Sequence, residues 1–206
     1  MNLLREYIRE LLKEGAKDVS ALVEKDVYIT VAKDELTDFI VYYSDEKGNE
    51  KDARVSDVHG EVQIQYPHKG IGPCGEALEV VYTSAASGWG PMLYDVAMEV
   101  ATEAGGGLTP DRRSVSKDAQ NVWNYYFNNR GDVESQQLDL TDTEVEYYTD
   151  LNLKKLTPDV EQDDCLQSKA IAQYEDKWDQ APLSKRYTKA PTTINALRAA
   201  GRLVEI

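Results

Sequence analysis

Apolar positions along this chain change period several times, and each change marks an element. Residues 2–14 (NLLREYIRELLKE) set Leu3, Leu4, Ile8, Leu11 and Leu12 three and four apart, the stripe of an amphipathic helix that Gly15 stops. So short a helix needs a surface to dock on. Val27–Val31 and Leu36–Tyr43 are β-branched and aromatic runs that predict strands, followed by a polar turn at Asp45–Glu50 in which Gly48 supplies positive φ. Glu61–Tyr66 (EVQIQY) alternates polar and apolar, as a half-buried antiparallel strand does. Ala77–Ser84 (ALEVVYTS) is more continuously apolar and predicts a central strand.

The period then becomes helical. Met92, Leu93, Val96, Ala97 and Val100 fall on one face of Pro91–Ala104, with Pro91 at the first helical position and Gly105–Gly107 ending the helix. Leu108–Thr109 reads as a very short strand. Ser116 caps a further helix to Asn129 that carries Ala119, Val122, Trp123 and Tyr126 on one face. Residues 130–165 show few clean periods. Leu166–Trp178 reads as helical, and Thr192 or Thr193 caps a last helix through Ala200, closed by Gly201.

Composition narrows the function classes. A chain of 206 residues is one domain or one domain with appendages. It has no run of 18 apolar residues, so no membrane span is expected. A net charge of −14 repels phosphate backbones and argues against nucleic acid as a partner. The charge is uneven: residues 134–180 hold thirteen acids against four bases, whereas residues 181–206 hold Lys185, Arg186, Lys189, Arg198 and Arg202 against Glu205. The basic tail either folds back onto acidic surface or docks on an acidic partner. Cys74 and Cys165 stand alone, without a secretory leader or a CxxC or HExxH spacing, and so read as reduced thiols in a cytoplasmic setting with no metal site. His59 and His68 read as loop residues.

The candidate chemistry sits at Ser87-Gly88-Trp89-Gly90-Pro91, between the central strand and a helix. Such a turn gathers backbone N–H groups at a helix start, where the dipole favours an anion, and its glycines allow close approach. The amides of Gly88, Trp89 and Gly90 are the donors. The Gly-Lys-Ser/Thr end of a P-loop is absent, and Leu93 stands where a dinucleotide fingerprint needs its third glycine. By itself the turn also fits a plain strand-to-helix connection.

Ala85–Leu93 (AASGWGPML) resembles the acetyl-CoA-binding motif of the Gcn5-related N-acetyltransferase (GNAT) superfamily. Ser116–Trp123 (SKDAQNVW) matches the spacing of that superfamily's Asn-x-x-Ala-x-x-Leu-Tyr helix. The resemblance spans roughly residues 36–129. It implies an α/β (α+β) fold, a mixed, mostly antiparallel sheet flanked by helices, over residues 20–135. Residues 1–15 then form an N-terminal helix and candidate leader, and residues 136–206 an acidic segment with a basic helical extension. It also implies acetyl-CoA as co-substrate, with no metal. The loop Ser87, Gly88, Trp89, Gly90, Pro91 and Met92 would hold the pyrophosphate. Val80, Val81 and Tyr82 would belong to a strand that splays from its neighbour and pairs with pantetheine.

Three positions depart from the motif: Ala85 replaces Gln or Arg, Ser116 replaces Asn, and Trp123 replaces the Tyr that protonates the leaving thiolate. Tyr126, one helical turn on, is the substitute acid, or a half-buried aromatic. Glu79 and Glu76 are the carboxylates available as base. Cys74 with His68 makes a weaker nucleophile pair that lacks an orienting third member. Asp111, Arg112 and Arg113 either clamp the junction after the short strand by ion pairing or reach substrate or the 3′-phosphate of CoA.

The stretches GWGPMLYDVAMEVA, LTPDRRSVS and PLSKRYTKAPTTINALRAAGRLV also resemble acetyltransferase-like proteins of tailed phages. Leu12-Lys13-Glu14 is similar to the cut site of phage prohead proteases. Two functions are therefore expected as alternatives. One is transfer of an acetyl group to an unidentified amine in the host cytoplasm, the acidic surface favouring a basic amine, polyamine or Lys-rich protein through attraction. The other is a non-catalytic protein of the same fold, packaged in the virion and engaging capsid or protease through residues 1–14.

Overall fold

The computed structural model describes residues 17–45, 59–67, 72–141, 145–146, 157–158 and 160–206. The helix read over residues 2–14, the turn at Gly48 and His68 lie outside them. Among the described residues no helix is long and apolar enough to cross a membrane.

The fold is mixed α/β. Its strands are β1 (Tyr28–Lys33), β2 (Phe39–Ser44), β3 (Gly60–Gln65), β4 (Leu78–Ala85), β5 (Leu108–Thr109), β6 (Val133–Gln137), β7 (Lys185–Lys189) and β8 (Leu203–Glu205). The described residues include the α-helices α1 (Val19–Lys25), α2 (Gly90–Ala104), α3 (Lys117–Asn129) and α4 (Thr192–Ala199). The strands form one eight-stranded sheet in the order β6-β7-β5-β4-β3-β2-β1-β8, flanked by the helices. β1 pairs antiparallel with β2 and parallel with β8, β4 pairs parallel with β5, and β7 pairs antiparallel with both β5 and β6.

The chain divides into two compact units. The first comprises Met1–Gln63, Tyr82–Ala97 and Pro191–Ile206. Asp18 caps α1, accepting the amides of Ser20 and Ala21, and α1 ends at Asp26 in the left-handed conformation. Leu22 of α1, Ile29, Val41, Val62, Leu93, Val96 and, from α4, Ile194 and Leu197 are buried in this unit. Burial of such side chains contributes about 1.5–3 kcal/mol each. Arg202 closes the end of β8 against Asp26 at 2.6 Å and lies over the ring of Tyr28.

The second unit comprises Ile64–Val81 and Met98–Ala190. Its centre is β5, whose two residues are fully buried, with Leu108 opposite both Leu78 and Tyr187. Trp123 and Tyr126 of α3 are buried, and Trp123 stacks on Tyr187 with ring centroids 5.0 Å apart. Ser116 caps α3 through the amide of Ala119. Lys189 and Glu99 form an ion pair with side chains 1% and 0% exposed, and Asp132 stands 3.8 Å from the same ammonium.

Three sequence expectations change here. Residues 136–206 are not wholly an extension, since they give strands to the sheet: β7 lies between β5 and β6, and β8 is an edge strand beside β1. The strand pattern of β7 was hidden because its inward positions are Lys185, Tyr187 and Lys189. Arg112 clamps its junction from a buried position, with backbone carbonyls and a glutamine oxygen among its acceptors. It is 1% exposed and donates to the carbonyls of Leu166, Pro110 and Leu183 and to Gln167 Oε1, which removes it from any phosphate. Finally, Cys74 and Cys165 are not reduced thiols: they form a disulfide. This also removes Cys74 as a nucleophile.

The remaining bases of the tail find partners close at hand. Arg186 donates to the Gly75 carbonyl and to Gln136, and Arg198 pairs with Glu205.

Candidate functional site

In the first unit, β4 ends at Ala85 and the chain turns into α2, which starts at Gly90, one residue earlier than the sequence placed it. The Trp89 amide donates to the Ala86 carbonyl and closes the turn. Gly88 takes φ +83, a backbone conformation that L side chains rarely adopt. Trp89 is therefore not one of the outward donors. Among the described residues no backbone carbonyl accepts the amides of Gly88 or Gly90. These two stand at the start of a fifteen-residue helix, where the first amides lack intrahelical partners and carry partial positive charge, Pro91 contributing none.

Side chains beneath the turn hold it. The Trp89 indole is 5% exposed, stacks on His59 with centroids 4.1 Å apart, and meets the Tyr43 ring edge-on at 4.9 Å. The Tyr43 hydroxyl donates to the Trp89 carbonyl at 2.8 Å. Burial, and secondarily the charge of Asp95, push this phenol far above the ordinary tyrosine range, so it stays a donor. The Lys17 amide donates to the Gly88 carbonyl at 2.8 Å. The Gly88 and Trp89 carbonyls are thus both satisfied from within. A Cβ at Gly90 would meet only Ala85 Cβ, at 3.5 Å, so this position is open to substitution.

The other predicted residues of this unit are placed as follows. Ser87 is exposed, Tyr82 is 49% exposed, and Pro91 is half-buried on the first turn of α2. Met92 is 5% exposed and packs in the core, so its side chain is structural. Tyr94 of α2 donates to Thr83 Oγ1 at 3.2 Å, and burial raises its phenol despite that bond.

In the second unit, pairing between β4 and β5 stops at Glu79 opposite Thr109. Beyond this pair β5 ends and gives Val80 and Val81 no partner; Val80 is 6% exposed and Val81 is partly buried. Glu79 is 2% exposed. Its Oε1 accepts from Gln65 Nε2 at 2.8 Å, while Oε2 has no hydrogen-bond partner among the described residues. A buried carboxyl oxygen left in this state costs stability. Tyr126 is 2% exposed, stands edge-on to Tyr125 and lies under the Arg130 guanidinium at 5.2 Å. No hydrogen bond joins it to Glu79. Glu76 is exposed in the turn before β4. Among the described residues no cluster of His, Cys, Asp and Glu could hold a metal ion.

Sequence reasoning missed the bracing role of His59 and Tyr43, and it missed Gln65. The alternation of EVQIQY placed Gln65 on a strand but gave no sign that its amide would meet Glu79. Comparison with protein-family models, with curated proteins and with solved structures gave no match.

Proposed function

We propose that this chain is an acyl-CoA-dependent N-acyltransferase-like protein, with an amine as acceptor. The observation that carries this reading is the end of β4–β5 pairing at Glu79 and Thr109, on the same strand that runs on into the glycine turn. A strand edge that β5 leaves without a partner suits an amide-bearing chain such as pantetheine. Amides at a helix start suit a pyrophosphate. Each feature, taken within its own unit, suits one part of an acyl-CoA.

In this reading Gly88 and Gly90 hold the pyrophosphate, and the edge of Val80, Val81 and Tyr82 aligns the thioester arm. Glu79 Oε2 accepts the proton released as the amine attacks the thioester carbonyl, and Tyr126 serves as the acid for the departing thiolate. The chain's acidity draws in basic amines by long-range attraction. Synthesis in a host cytoplasm fits this activity. The test is transfer from acetyl-CoA to polyamines and Lys-rich peptides, read by mass. The expected result is a 42 Da adduct (the mass of one added acetyl group, roughly, on chemical grounds) that Glu79→Gln abolishes while binding persists.

The second reading is a packaged, non-catalytic protein of the same fold. The Cys74–Cys165 disulfide favours it, because such bonds persist outside reducing compartments, virion surfaces included. Its expected signature is acyl-CoA binding without transfer, and a chain cut after Glu14 in purified particles.

A further inference from the structure

Between the loop after β3 and the first residue of β4, the backbone takes a conformation that its residue types resist. Cys74, Gly75 and Glu76 follow one another at φ of 47, 62 and 62. Together they form a single left-handed turn, in which the Glu76 amide donates to Pro73 and the Ala77 amide to Cys74. Glycine accepts this region freely. For Cys74 and Glu76 it is disfavoured about 5- to 30-fold each against right-handed backbone.

External contacts hold the turn. Arg186 Nη1 donates to the Gly75 carbonyl at 2.7 Å, and the Gly106 amide donates to Glu76. The Cys74 amide donates to the Asp164 carbonyl at 3.0 Å, and the disulfide ties the same residue to Cys165. Cys165 is itself fixed through its amide to Asp139, and both cysteines are buried with Leu138. β4 begins two residues beyond Glu76 with the Leu78 amide bonded to Gly107, and Glu79 follows directly.

We propose that the Cys74–Cys165 bond is a redox-operated lock on the left-handed turn Cys74–Glu76. Oxidised, it holds the entry into β4 in one conformation; reduced, it releases that entry. The lock does not depend on the acyltransferase reading. Opening consumes a dithiol: one thiolate attacks a cysteine sulfur and the S–S bond breaks. The second thiol then resolves the mixed disulfide. The two cysteines gain two electrons and two protons in all and end as thiols, and the dithiol ends as its cyclic disulfide. Because both sulfurs are buried, the turn must open before a reductant reaches them.

The test is hydrogen exchange by mass spectrometry on the full chain, oxidised and after dithiothreitol, with thiols titrated under denaturing conditions in each sample. The oxidised chain is expected to titrate no free thiol and the reduced chain two. On reduction, exchange across residues 74–80 should accelerate at least tenfold, while α1 and the β1–β2 pair stay unchanged. Glu76→Gly, which removes one of the two disfavoured residues, should recover several-fold of that protection in the reduced chain. Free thiols in the air-exposed chain, unchanged exchange after full reduction, or equal acceleration in Glu76→Gly and the parent would each overturn the proposal.

Discussion

Removing either member of the Glu99–Lys189 pair should be among the most damaging single changes to the fold. Both side chains are essentially sealed from solvent, at 0% and 1% exposure, so neither charge can recover its hydration in place. Lys189→Met takes the ammonium away from the fully buried Glu99 carboxyl, and a loss of about 3–5 kcal/mol is expected. Glu99→Leu leaves Lys189 beside Asp132 at 3.8 Å, a half-exposed partner, so about 3 kcal/mol is expected instead. For a chain of this length those losses lower the melting temperature by roughly 6–20 °C. Urea unfolding of the two single variants and the double variant closes a cycle. The double variant should cost at least about 2 kcal/mol less than the sum of the singles, since it buries no stranded charge. Single losses below about 1 kcal/mol, or losses that simply add, would refute the reasoning.

Other changes probe separate parts of the account. Burial lowers the pKa of Lys185 to about 8 from 10.5, with the charge of Asp179 opposing the shift. Between these values the unfolded chain binds the proton and the native chain does not, so stability from this group rises with pH across that window, by up to about 3 kcal/mol. Lys185→Met should flatten the rise in urea melts from pH 8 to 10.5; an unchanged slope would contradict it. Gly106→Ala places a Cβ 1.8 Å from the Gly75 carbonyl oxygen, and a loss of about 3 kcal/mol in thermal melts is expected from the forced backbone shift. Ser116→Ala removes the cap that receives the Ala119 amide and should cost about 1 kcal/mol, read in the same melts.

Elements with ordinary inward faces were legible in the chain before any coordinates. β1 to β5, α2, α3 and α4 lie within a few residues of their expected bounds, because Val, Ile, Leu and Met mark the buried positions at periods of two or 3.6. The α1 helix was missed since only Leu22 of its seven residues is buried. β6 is polar after Val133 and gives no alternation. β7 alternates, but in lysines, whose burial depends on Glu99, Gln137 and Asp179, residues 6 to 90 positions away in sequence. Leu166–Trp178 read as an ordinary helix and is instead a kinked 3-10 run from Lys169 to Gln180, broken at Glu175 and Lys177. Of the site, the glycine turn was legible as punctuation between two periods. The inward Trp89 was not, since its packing is set by Tyr43 and His59 from other strands and loops.

The central claim is that the turn at Gly88–Gly90 is an anion site for an acyl-CoA. Gly90 is the place to test it, because a side chain there meets no backbone and stands at a helix start that tolerates an acidic residue. Calorimetric titration of acetyl-CoA and desulfo-CoA should show one saturable site in the parent chain. In Gly90→Glu, with melting temperature preserved, that site should weaken at least a hundredfold through repulsion of the pyrophosphate. Equal affinity in the two chains, or no heat from the parent at millimolar ligand, would contradict the account.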